Sequence, residues 1–433
     1  MAFLFLLILY PTAIMKKKLL VISIILFFSF QKGFAQFTQY CGTSRYDTEV
    51  FAADTVLSTV TFGSSVDVNG NTVTLTMDIY QPAGDVVTIR PLIIWAHGGS
   101  FINGTKNDGD VTSLCHHFAK RGYVCASINY RLGIPLPPTQ TGATRAVYRA
   151  VQDMKAAVRF FRKDAATSNV YKIDPAVIFA GGSSAGAFIA LHLAYLDQPT
   201  ELPSQIDTNL LGGMEGISGN PGYPSTVNAI VNLCGALGDT AWMVPGDIPV
   251  CSMHGTVDNV VPYATSILYL FTAFPIMVVN GSHSVNEHAD AIGIPNAMYT
   301  FYGQSHVPYA TSLAYMDTTV RFVSNFLYDY LGCTPSDLSP LPNTFINVSV
   351  PELNSSQNIN VYPAPASDHI NIDLKNSSVE KIELVDVTGR TLRKMENISS
   401  THVQLERGNL FAGIYFLRII ANGKTISRKI CFE

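Results

Sequence analysis

Residues 177–190 constrain the fold of this chain more than any other part of its sequence. They read VIFAGGSSAGAFIA, with four apolar residues typical of a buried strand, then six small residues, then an apolar run of helical character. Because the six central residues are only glycine, serine and alanine, the chain can reverse between strand and helix with very little side-chain volume. Such a strand–turn–helix unit predicts a sheet whose faces are covered by helices.

The region around this unit alternates strand patterns with helical patterns. Residues 55–80 alternate apolar and polar side chains around a turn signal at 69–71, which predicts an antiparallel hairpin at a sheet edge. Residues 91–96 are continuously apolar, as in a strand buried on both faces. We therefore predict an α/β fold with a doubly wound, mostly parallel sheet for residues 36–333. Further predicted strands are 123–129, 229–233, 249–253 and 297–301, and predicted helices are 111–121, 145–165, 263–274, 285–292 and 309–330.

The C-terminal part of the chain has a different pattern. Residues 334–356 are rich in Pro, Ser and Asn, which predicts a linker. Residues 357–433 contain short strand patterns separated by turn signals such as Thr388-Gly389 and Asn422-Gly423. We predict a small all-β sandwich for this second domain.

The N-terminus has the layout of an export signal. Lys16-Lys17-Lys18 precede the apolar run 19–30, and small residues at 33–35 fit a cleavage site. We predict a signal peptide over residues 1–35, with Met15 as the start that fits this layout best. An uncleaved membrane anchor is the alternative, but a run of 12 apolar residues is short for a bilayer.

Composition narrows the classes of partner and cofactor. Charged residues make up 14% of the chain and the net charge is −4, without a basic stripe, so we expect no nucleic-acid partner. The seven cysteines lack metal-like spacing, and we expect neither a metal nor a cofactor. In an exported protein cysteines can form disulfides, and Cys41 and Cys333 bracket the large domain, so we expect a bridge between them.

The small-residue turn also has a chemical interpretation. Gly182-x-Ser184-x-Gly186 fits a turn that exposes a strained serine hydroxyl at the end of a strand. The following helix N-terminus adds partial positive charge where an oxyanion would develop. Ser183 is a rival nucleophile, but its frame ends in Ala185 rather than glycine. We therefore expect Ser184 to be the nucleophile.

A second glycine motif follows the strand predicted at 91–96. Residues 97–101 read HGGSF, which matches a loop whose glycines let backbone N–H groups approach a reacting carbonyl. We expect such donors at Gly98 and Gly99, with a third at Ala185 at the start of the helix. His97 is expected to brace this loop rather than to act as a base.

A base and an acid follow two later strands. Asp258 comes just after the strand predicted at 249–253, and His306 follows the last predicted strand. Since carboxyl ends of parallel strands meet at one edge of a sheet, Ser184, Asp258 and His306 could form a nucleophile–acid–base set. Asp239 is a rival acid. His116, His117 and His192 fall on predicted helices without an evident partner.

These motifs together resemble the α/β-hydrolase superfamily, in its secreted esterase/lipase and carboxylesterase branch. The resemblance implies Ser184 as nucleophile, His306 as base and Asp258 as orienting acid, with the oxyanion donors named above. Two positions depart from the family pattern: Ser100 replaces the third glycine of HGGG, and Ser183 precedes the nucleophile. The matching segments are 77–82, 97–101, 129–132, 182–186, 254–258 and 303–306.

The C-terminal domain has its own resemblance. Segments 360–365, 384–390 and 410–416 are similar to the C-terminal sorting domain of the type IX secretion system of Bacteroidetes. The resemblance implies the type IX machinery as a partner and a secreted or outer-surface location. A carbohydrate-binding or adhesive sandwich is the alternative, although no aromatic stripe is visible.

The function implied is a serine carboxylic ester hydrolase without a cofactor. Its expected substrates are small or exposed esters, with acetyl or feruloyl esters of polysaccharides as candidates. No long lid is evident, so we expect Phe101, Trp242 and Met243 to contribute to a modest substrate pocket. The alternatives are a catalytically inactive α/β-hydrolase used as a binding module, and a serine peptidase of the prolyl-oligopeptidase type.

Overall fold

The computed structural model describes residues 36–271, 273–336, 359–363, 366–374, 378–386, 391–411, 413–421 and 424–432. The chain divides into two compact units, Met1–Asn347 and Val348–Glu433. The predicted signal peptide, 1–35, and most of the predicted linker, 337–356, lie outside the described residues.

The larger unit alternates strands and helices along the chain. In chain order its elements are β1 (Asp54–Val66), β2 (Thr72–Pro82), β3 (Arg90–Ala96), α1 (Gly109–Lys120), β4 (Val124–Ile128), α2 (Gln140–Ala166), β5 (Ile173–Ser183), α3 (Ala185–Tyr195), α4 (Thr208–Leu211), β6 (Ala229–Leu233), β7 (Ala236–Leu237), β8 (Val250–Gly255), β9 (Thr265–Leu270), β10 (Phe274–Gly281), α5 (Ser282–Ile292), β11 (Asn296–Phe301) and α6 (Leu313–Tyr330). Short 3-10 helices lie at Thr38–Tyr40, Pro199–Glu201, Thr240–Trp242 and Pro308–Ala310.

Eight of these strands form one sheet in the order β1-β2-β4-β3-β5-β6-β8-β11. The hairpin β1–β2 lies at one edge and pairs antiparallel with β4, whereas the pairs from β4 to β11 are parallel. The prediction of a doubly wound, mostly parallel sheet with an edge hairpin is therefore confirmed.

Helices cover both faces of the sheet, and the central strand β3 buries apolar side chains on both of these faces. Leu92 and Ile94 pack with α2 and α3 in one core, whereas Ile93 and Trp95 pack with α1 and α6 in the other. This division follows from the alternation of side chains along a strand. The helix α2 begins at Gln140, earlier than predicted, because the Thr139 hydroxyl accepts a hydrogen bond from the Gly142 N–H and caps it.

The helix predicted at 263–274 is wrong. This segment forms β9 and the turn into β10, and the two strands pair antiparallel, with Ile267 opposite Val278. Strand β10 also pairs with β7, which gives a separate three-stranded sheet. A mostly apolar segment satisfies both helical and strand patterns, and here the pairing of β9 with β10 decides in favour of the strand.

The expected Cys41–Cys333 disulfide is present. It joins the segment before β1 to the residues after α6, and so connects the two ends of the larger unit. The other five cysteines are free thiols, of which Cys115, Cys125, Cys234 and Cys251 are buried.

The smaller unit consists of two antiparallel sheets around one core, which confirms the predicted β-sandwich. One sheet contributes Ile370 and Leu405 to that core and the other contributes Leu384, Leu417 and Ile419. The sheets have the strand orders β12-β13-β16 and β15-β14-β17-β18. The strands are β12 (Ile359–Tyr362), β13 (His369–Leu374), β14 (Val379–Val385), β15 (Thr391–Ser400), β16 (His402–Glu406), β17 (Gly413–Ala421) and β18 (Lys424–Phe432).

Across the described parts of both units, no helix combines the length and the apolar character that crossing a bilayer requires.

Candidate active site

Ser184 occupies the sharp turn between β5 and α3. Its backbone has φ 54° and ψ −116°, a sparsely populated conformation for a residue with a side chain. The turn is so tight that a Cβ at Gly186 would lie 2.0 Å from the Ala96 carbonyl oxygen, and one at Gly182 would lie 2.2 Å from the Gly186 carbonyl carbon. Both positions therefore require glycine.

The structure brings the predicted nucleophile, base and acid together. The distance from Ser184 Oγ to His306 Nε2 is 2.8 Å, and that from His306 Nδ1 to Asp258 Oδ2 is 2.6 Å. With Nδ1–H donating to the carboxylate, Nε2 is left to accept the serine proton. The three side chains thus form a continuous hydrogen-bonded chain that ends at the strained hydroxyl.

Asp258 accepts several hydrogen bonds besides the one from His306. Its Oδ1 accepts from the backbone N–H groups of Val260 and Val261 at 2.8 and 2.9 Å. Burial alone would raise the pKa of Asp258, but hydrogen bonds from His254 and His306 outweigh burial and hold this pKa well below its usual range. The carboxylate is therefore ionised wherever His306 can act as a base.

His254 is the functional candidate that the sequence reasoning missed. It is fully buried, and its Nε2 lies 3.0 Å from Asp258 Oδ2, the same oxygen that His306 contacts. Its Nδ1 lies 2.7 Å from the Ser282 hydroxyl, which in turn accepts a hydrogen bond from Asn232 Nδ2. This arrangement makes Nε2–H a donor to Asp258. The residue was visible in the sequence, four positions before Asp258, but no pattern assigned it a role.

The two rivals lie elsewhere. The Ser183 hydroxyl is buried and lies 2.8 Å from the Tyr309 hydroxyl. Asp239 caps the short helix Thr240–Trp242 by accepting a hydrogen bond from the Ala241 N–H. Neither residue is hydrogen-bonded to His306.

The HGGSF loop passes directly beside Ser184. A Cβ at Gly98 would lie 3.3 Å from the Ser184 Cβ, and Gly99 has φ +103°. Ala185 is the first residue of α3, so its N–H has no partner within the helix. Gly98 therefore lies close to Ser184, and Ala185 follows Ser184 directly in the chain; the roles of Gly98, Gly99 and Ala185 as oxyanion donors stay predictions.

His97 and Tyr130 stabilise this loop through ring stacking and hydrogen bonds. The two rings stack with centroids 4.3 Å apart, and the Tyr130 hydroxyl donates to the carbonyl oxygens of His97 and Gly98. Burial lowers the pKa of His97, which favours the neutral ring, and its Nδ1 donates to the Gly98 carbonyl at 2.7 Å. These contacts fit the expected bracing role.

A cavity of about 280 Å³ opens beside Ser184. Phe101, expected to contact substrate, lines it together with Phe188 from α3. The β9–β10 hairpin forms the facing wall through residues 268–271. The sequence analysis, which found no long lid, did not anticipate this wall of the cavity.

A second cavity of about 60 Å³ lies next to the first. Trp242, also expected to contact substrate, lines this second cavity rather than the first. Met243, also expected to contact substrate, lines neither of these two cavities and is buried in the core with a relative exposure of 3%. Met243 follows the short helix that Asp239 caps, and that turn directs it inward.

The helical histidines have partners, contrary to the sequence-based expectation. His116 contacts Asp54 at 2.9 Å and His117 contacts Glu49. His192 lies at the second cavity, where its Nδ1 donates to the Phe188 carbonyl and its Nε2 accepts from the Gly238 N–H. Burial lowers the pKa of His192 to about 4, so this ring is neutral at neutral pH.

One group of side chains near the site has the residue types of a metal site. The ligand atoms of Cys234, Asp258 and His306 lie within 4.8 Å of one another. However, burial together with the Asp258 carboxylate raises the pKa of the Cys234 thiol to about 12. Since a protonated thiol is a poor ligand and Asp258 and His306 already bind each other, the donor set does not fit a metal.

Two family models match this chain. Residues 77–238 match the family described as BD-FAE. The matched range runs from within β2 to the end of β7 and includes the HGGSF loop and the Ser184 turn. The larger unit has the α/β-hydrolase fold, and its residues 77–238 are similar to the BD-FAE family. Residues 360–433 match the secretion system C-terminal sorting domain, so the smaller unit is a sorting domain.

Known proteins are similar to parts of the hydrolase domain. Neuroligin-like protein glit-1 of Caenorhabditis elegans is 29% identical over 119 residues, which is 26% of this chain and 15% of that protein. Carboxylesterase 3B of Mus musculus is 33% identical over 124 residues, which is 28% of this chain and 20% of that protein. The matches thus span a fifth or less of these relatives' own length.

Solved structures of esterase 2 from Thermogutta terrifontis are also similar to the hydrolase domain. One form has a TM-score of 0.44 and 22% identity, covering 62% of this chain and 95% of that chain. The butyrate-bound form has a TM-score of 0.45 and 21% identity, covering 63% of this chain and 95% of that chain.

Proposed function

We propose that this protein is a serine carboxylic ester hydrolase that works through an acyl-enzyme on Ser184. The observation that carries the proposal is the hydrogen-bonded chain from Ser184 Oγ through His306 to Asp258, with distances of 2.8 and 2.6 Å. The BD-FAE match over residues 77–238 supports the same reaction class.

In the acylation step, the Ser184 oxygen attacks the ester carbonyl carbon while His306 Nε2 takes the serine proton. Asp258 keeps Nδ1–H in place and stabilises the imidazolium. Negative charge develops on the carbonyl oxygen, and the N–H groups of Gly98, Gly99 and Ala185 are the donors that stabilise it. His306 then gives its proton to the leaving alcohol, which departs as the acyl-serine forms.

In the deacylation step, water replaces the alcohol. His306 Nε2 takes a proton from water, and the resulting hydroxide equivalent attacks the acyl carbonyl carbon. The same three donors stabilise the second oxyanion. The bond between the acyl carbon and Ser184 Oγ breaks, His306 returns the proton to the serine, and the carboxylic acid leaves.

The substrates are small or exposed esters, with acetyl and feruloyl esters of polysaccharides as candidates. A cavity of about 280 Å³ lined largely by apolar side chains suits an apolar acyl group of limited size.

A panel of esters tests this function. The purified hydrolase domain should release nitrophenol from the acetyl and butyryl esters, and acid from acetylated and feruloylated xylan, with saturation kinetics. Absence of hydrolysis of every ester by a folded protein would contradict the proposal and would favour an inactive binding module. Cleavage of peptides faster than esters would favour the peptidase alternative.

We further propose that the protein is exported by the type IX secretion machinery and that both ends are removed. The sorting-domain match over residues 360–433 supports this route. Intact-mass measurement of the protein from culture supernatant should give a chain that begins near Gln36 and ends within residues 334–356. A cell-bound protein that keeps residues 1–35 and the sorting domain would contradict both cleavages.

A further inference from the structure

The cavity beside Ser184 and the second cavity share a wall. Ala143, Val147, Phe188 and Leu268 line both of them. Side chains that face two cavities at once are the partition between them, and Phe188 is the largest of the four. The two spaces are therefore separated by side chains rather than by backbone.

Phe188 lies where it would limit the length of an acyl group that extends from Ser184 along α3. It lies four residues after Ser184, which is about 6 Å along the helix axis, whereas His192 at the second cavity lies about 12 Å along it. Its ring is 6% exposed and meets the Phe101 ring edge-on at 6.5 Å. An acyl group on Ser184 that points along α3 reaches Phe188 first and the second cavity next.

The second cavity has the chemistry of a hydrocarbon site. Leu196, Trp242 and Ile276 are among its lining residues. His192 is neutral and both of its ring nitrogens are already hydrogen-bonded, as described above. The Tyr148 hydroxyl donates to the Gly213 carbonyl, and the Thr144 hydroxyl makes no hydrogen bond among the described residues; the remaining lining is largely apolar.

We propose that Phe188 is the specificity-determining residue that ends the acyl site, so that the wild-type protein acts on esters of short-chain acids and the second cavity is the extension that longer acyl chains require. This inference rests on the proposed ester hydrolysis. Without the Phe188 ring, the two cavities form one apolar channel along α3. Straight-chain acyl groups then bury their distal methylenes against the wall around Trp242.

The expected effect is a change in chain-length preference rather than in catalysis. Each methylene buried in an apolar site favours binding by about fourfold. Octanoate has four more methylenes than butyrate, so even partial burial should raise the ratio of kcat/KM for octanoyl over butyryl nitrophenyl esters by about tenfold or more in Phe188→Ala. The value of kcat/KM for the acetyl ester should change much less.

The matched control is Phe271→Ala. Phe271 also lines the first cavity but does not line the second, and it is 55% exposed on the hairpin. Removing its ring enlarges the first cavity without joining it to the second, so the octanoyl/butyryl ratio should stay within about threefold of wild type. Trp242→Ala alone should also leave this ratio unchanged, because Phe188 still blocks the way, but it should raise the ratio further when combined with Phe188→Ala.

The outcomes separate this inference from the proposed function. Wild-type hydrolysis of butyryl ester with an unchanged ratio in Phe188→Ala overturns the inference and leaves the ester hydrolase standing. A ratio that rises equally in Phe271→Ala, or in Trp242→Ala alone, also overturns it, because the wild type would then already use the second cavity or a different exit. If Phe188→Ala does not fold, Phe188→Leu gives the same test with a smaller expected rise.

Discussion

Replacing Ser184 with alanine abolishes ester hydrolysis and leaves the protein folded. The change removes the only atom of this residue that can bond to the acyl carbon, so kcat/KM should fall by about 10³-fold or more. The fold should be retained because the Ser184 N–H still donates to the Leu233 carbonyl, and alanine has the same Cβ at φ 54°. Nitrophenyl butyrate hydrolysis and the thermal unfolding midpoint measure the two effects.

Ser183→Ala is the matched control for this experiment. It removes a neighbouring hydroxyl whose partner is Tyr309 rather than His306. We expect a loss of about 1 kcal/mol in the free energy of unfolding and activity within a few-fold of wild type. Normal activity in Ser184→Ala together with its loss in Ser183→Ala would move the nucleophile to Ser183.

Asp258→Asn should lower kcat by several orders of magnitude. The Asp258 Oδ2 atom accepts from both His306 and His254, at 2.6 and 3.0 Å. An asparagine amide cannot accept both bonds and also keep Oδ1 contacts with the backbone N–H groups of Val260 and Val261. His306 then loses the tautomer and orientation that leave Nε2 free for the serine proton, a change that costs about 10⁴-fold in a serine protease triad.

Asp239→Asn is the control for the identity of the acid. Asp239 accepts a helix-capping hydrogen bond from Ala241, and an asparagine oxygen can accept the same bond. Activity should therefore remain within a few-fold of wild type. A large loss in Asp239→Asn with near-normal activity in Asp258→Asn would assign the acid to the loop after β7.

Asp258 should also affect how the free energy of unfolding depends on pH. Hydrogen bonds hold the folded-state pKa of Asp258 below the value of about 3.9 in an unfolded chain. Between these two values the unfolded chain binds the proton and the folded chain does not, so this contribution is present above about pH 4 and is lost as the pH falls further. Chemical denaturation below pH 4 should show a steeper loss of stability for wild type than for Asp258→Asn.

The fold was predictable from sequence where local pattern and tertiary context agree. The small residues of the turn around Ser184 form a local pattern that can be recognised in the sequence alone. The steric reason for glycine is local at Gly182, which lies against Gly186, but at Gly186 it is a distant contact with the Ala96 carbonyl oxygen of β3, which only the structure shows. The parallel sheet followed in the same way from short apolar runs that alternate with helical patterns.

The hairpin β9–β10 was not predictable on this basis. Its first strand contains four consecutive apolar residues, Ile267–Leu270, and the pairing that makes it a strand comes from β10, which pairs on its other side with β7. Because of this error, the sequence analysis did not predict that Leu268 and its neighbours line the cavity beside Ser184.

The three central residues of the candidate site were predictable from sequence, whereas the residues around them were less so. Each of Ser184, Asp258 and His306 was expected beyond a strand end, and the structure joins their side chains by hydrogen bonds; their catalytic roles stay predictions. His254 could not be assigned, because its hydrogen bond to Asp258 depends on how the loop after β8 returns to the strand. The inward direction of Met243 depends in the same way on the short helix before it.

Trapping the acyl-enzyme position with an alkyl fluorophosphonate tests the central claim most directly. The proposal predicts one phosphonyl group per hydrolase domain, found by peptide mass spectrometry on Ser184, with activity lost in proportion to labelling. Ser183→Ala should be labelled like wild type, and Ser184→Ala should not be labelled. Labelling on another residue, or full loss of activity while Ser184 is unmodified, would contradict the proposed mechanism.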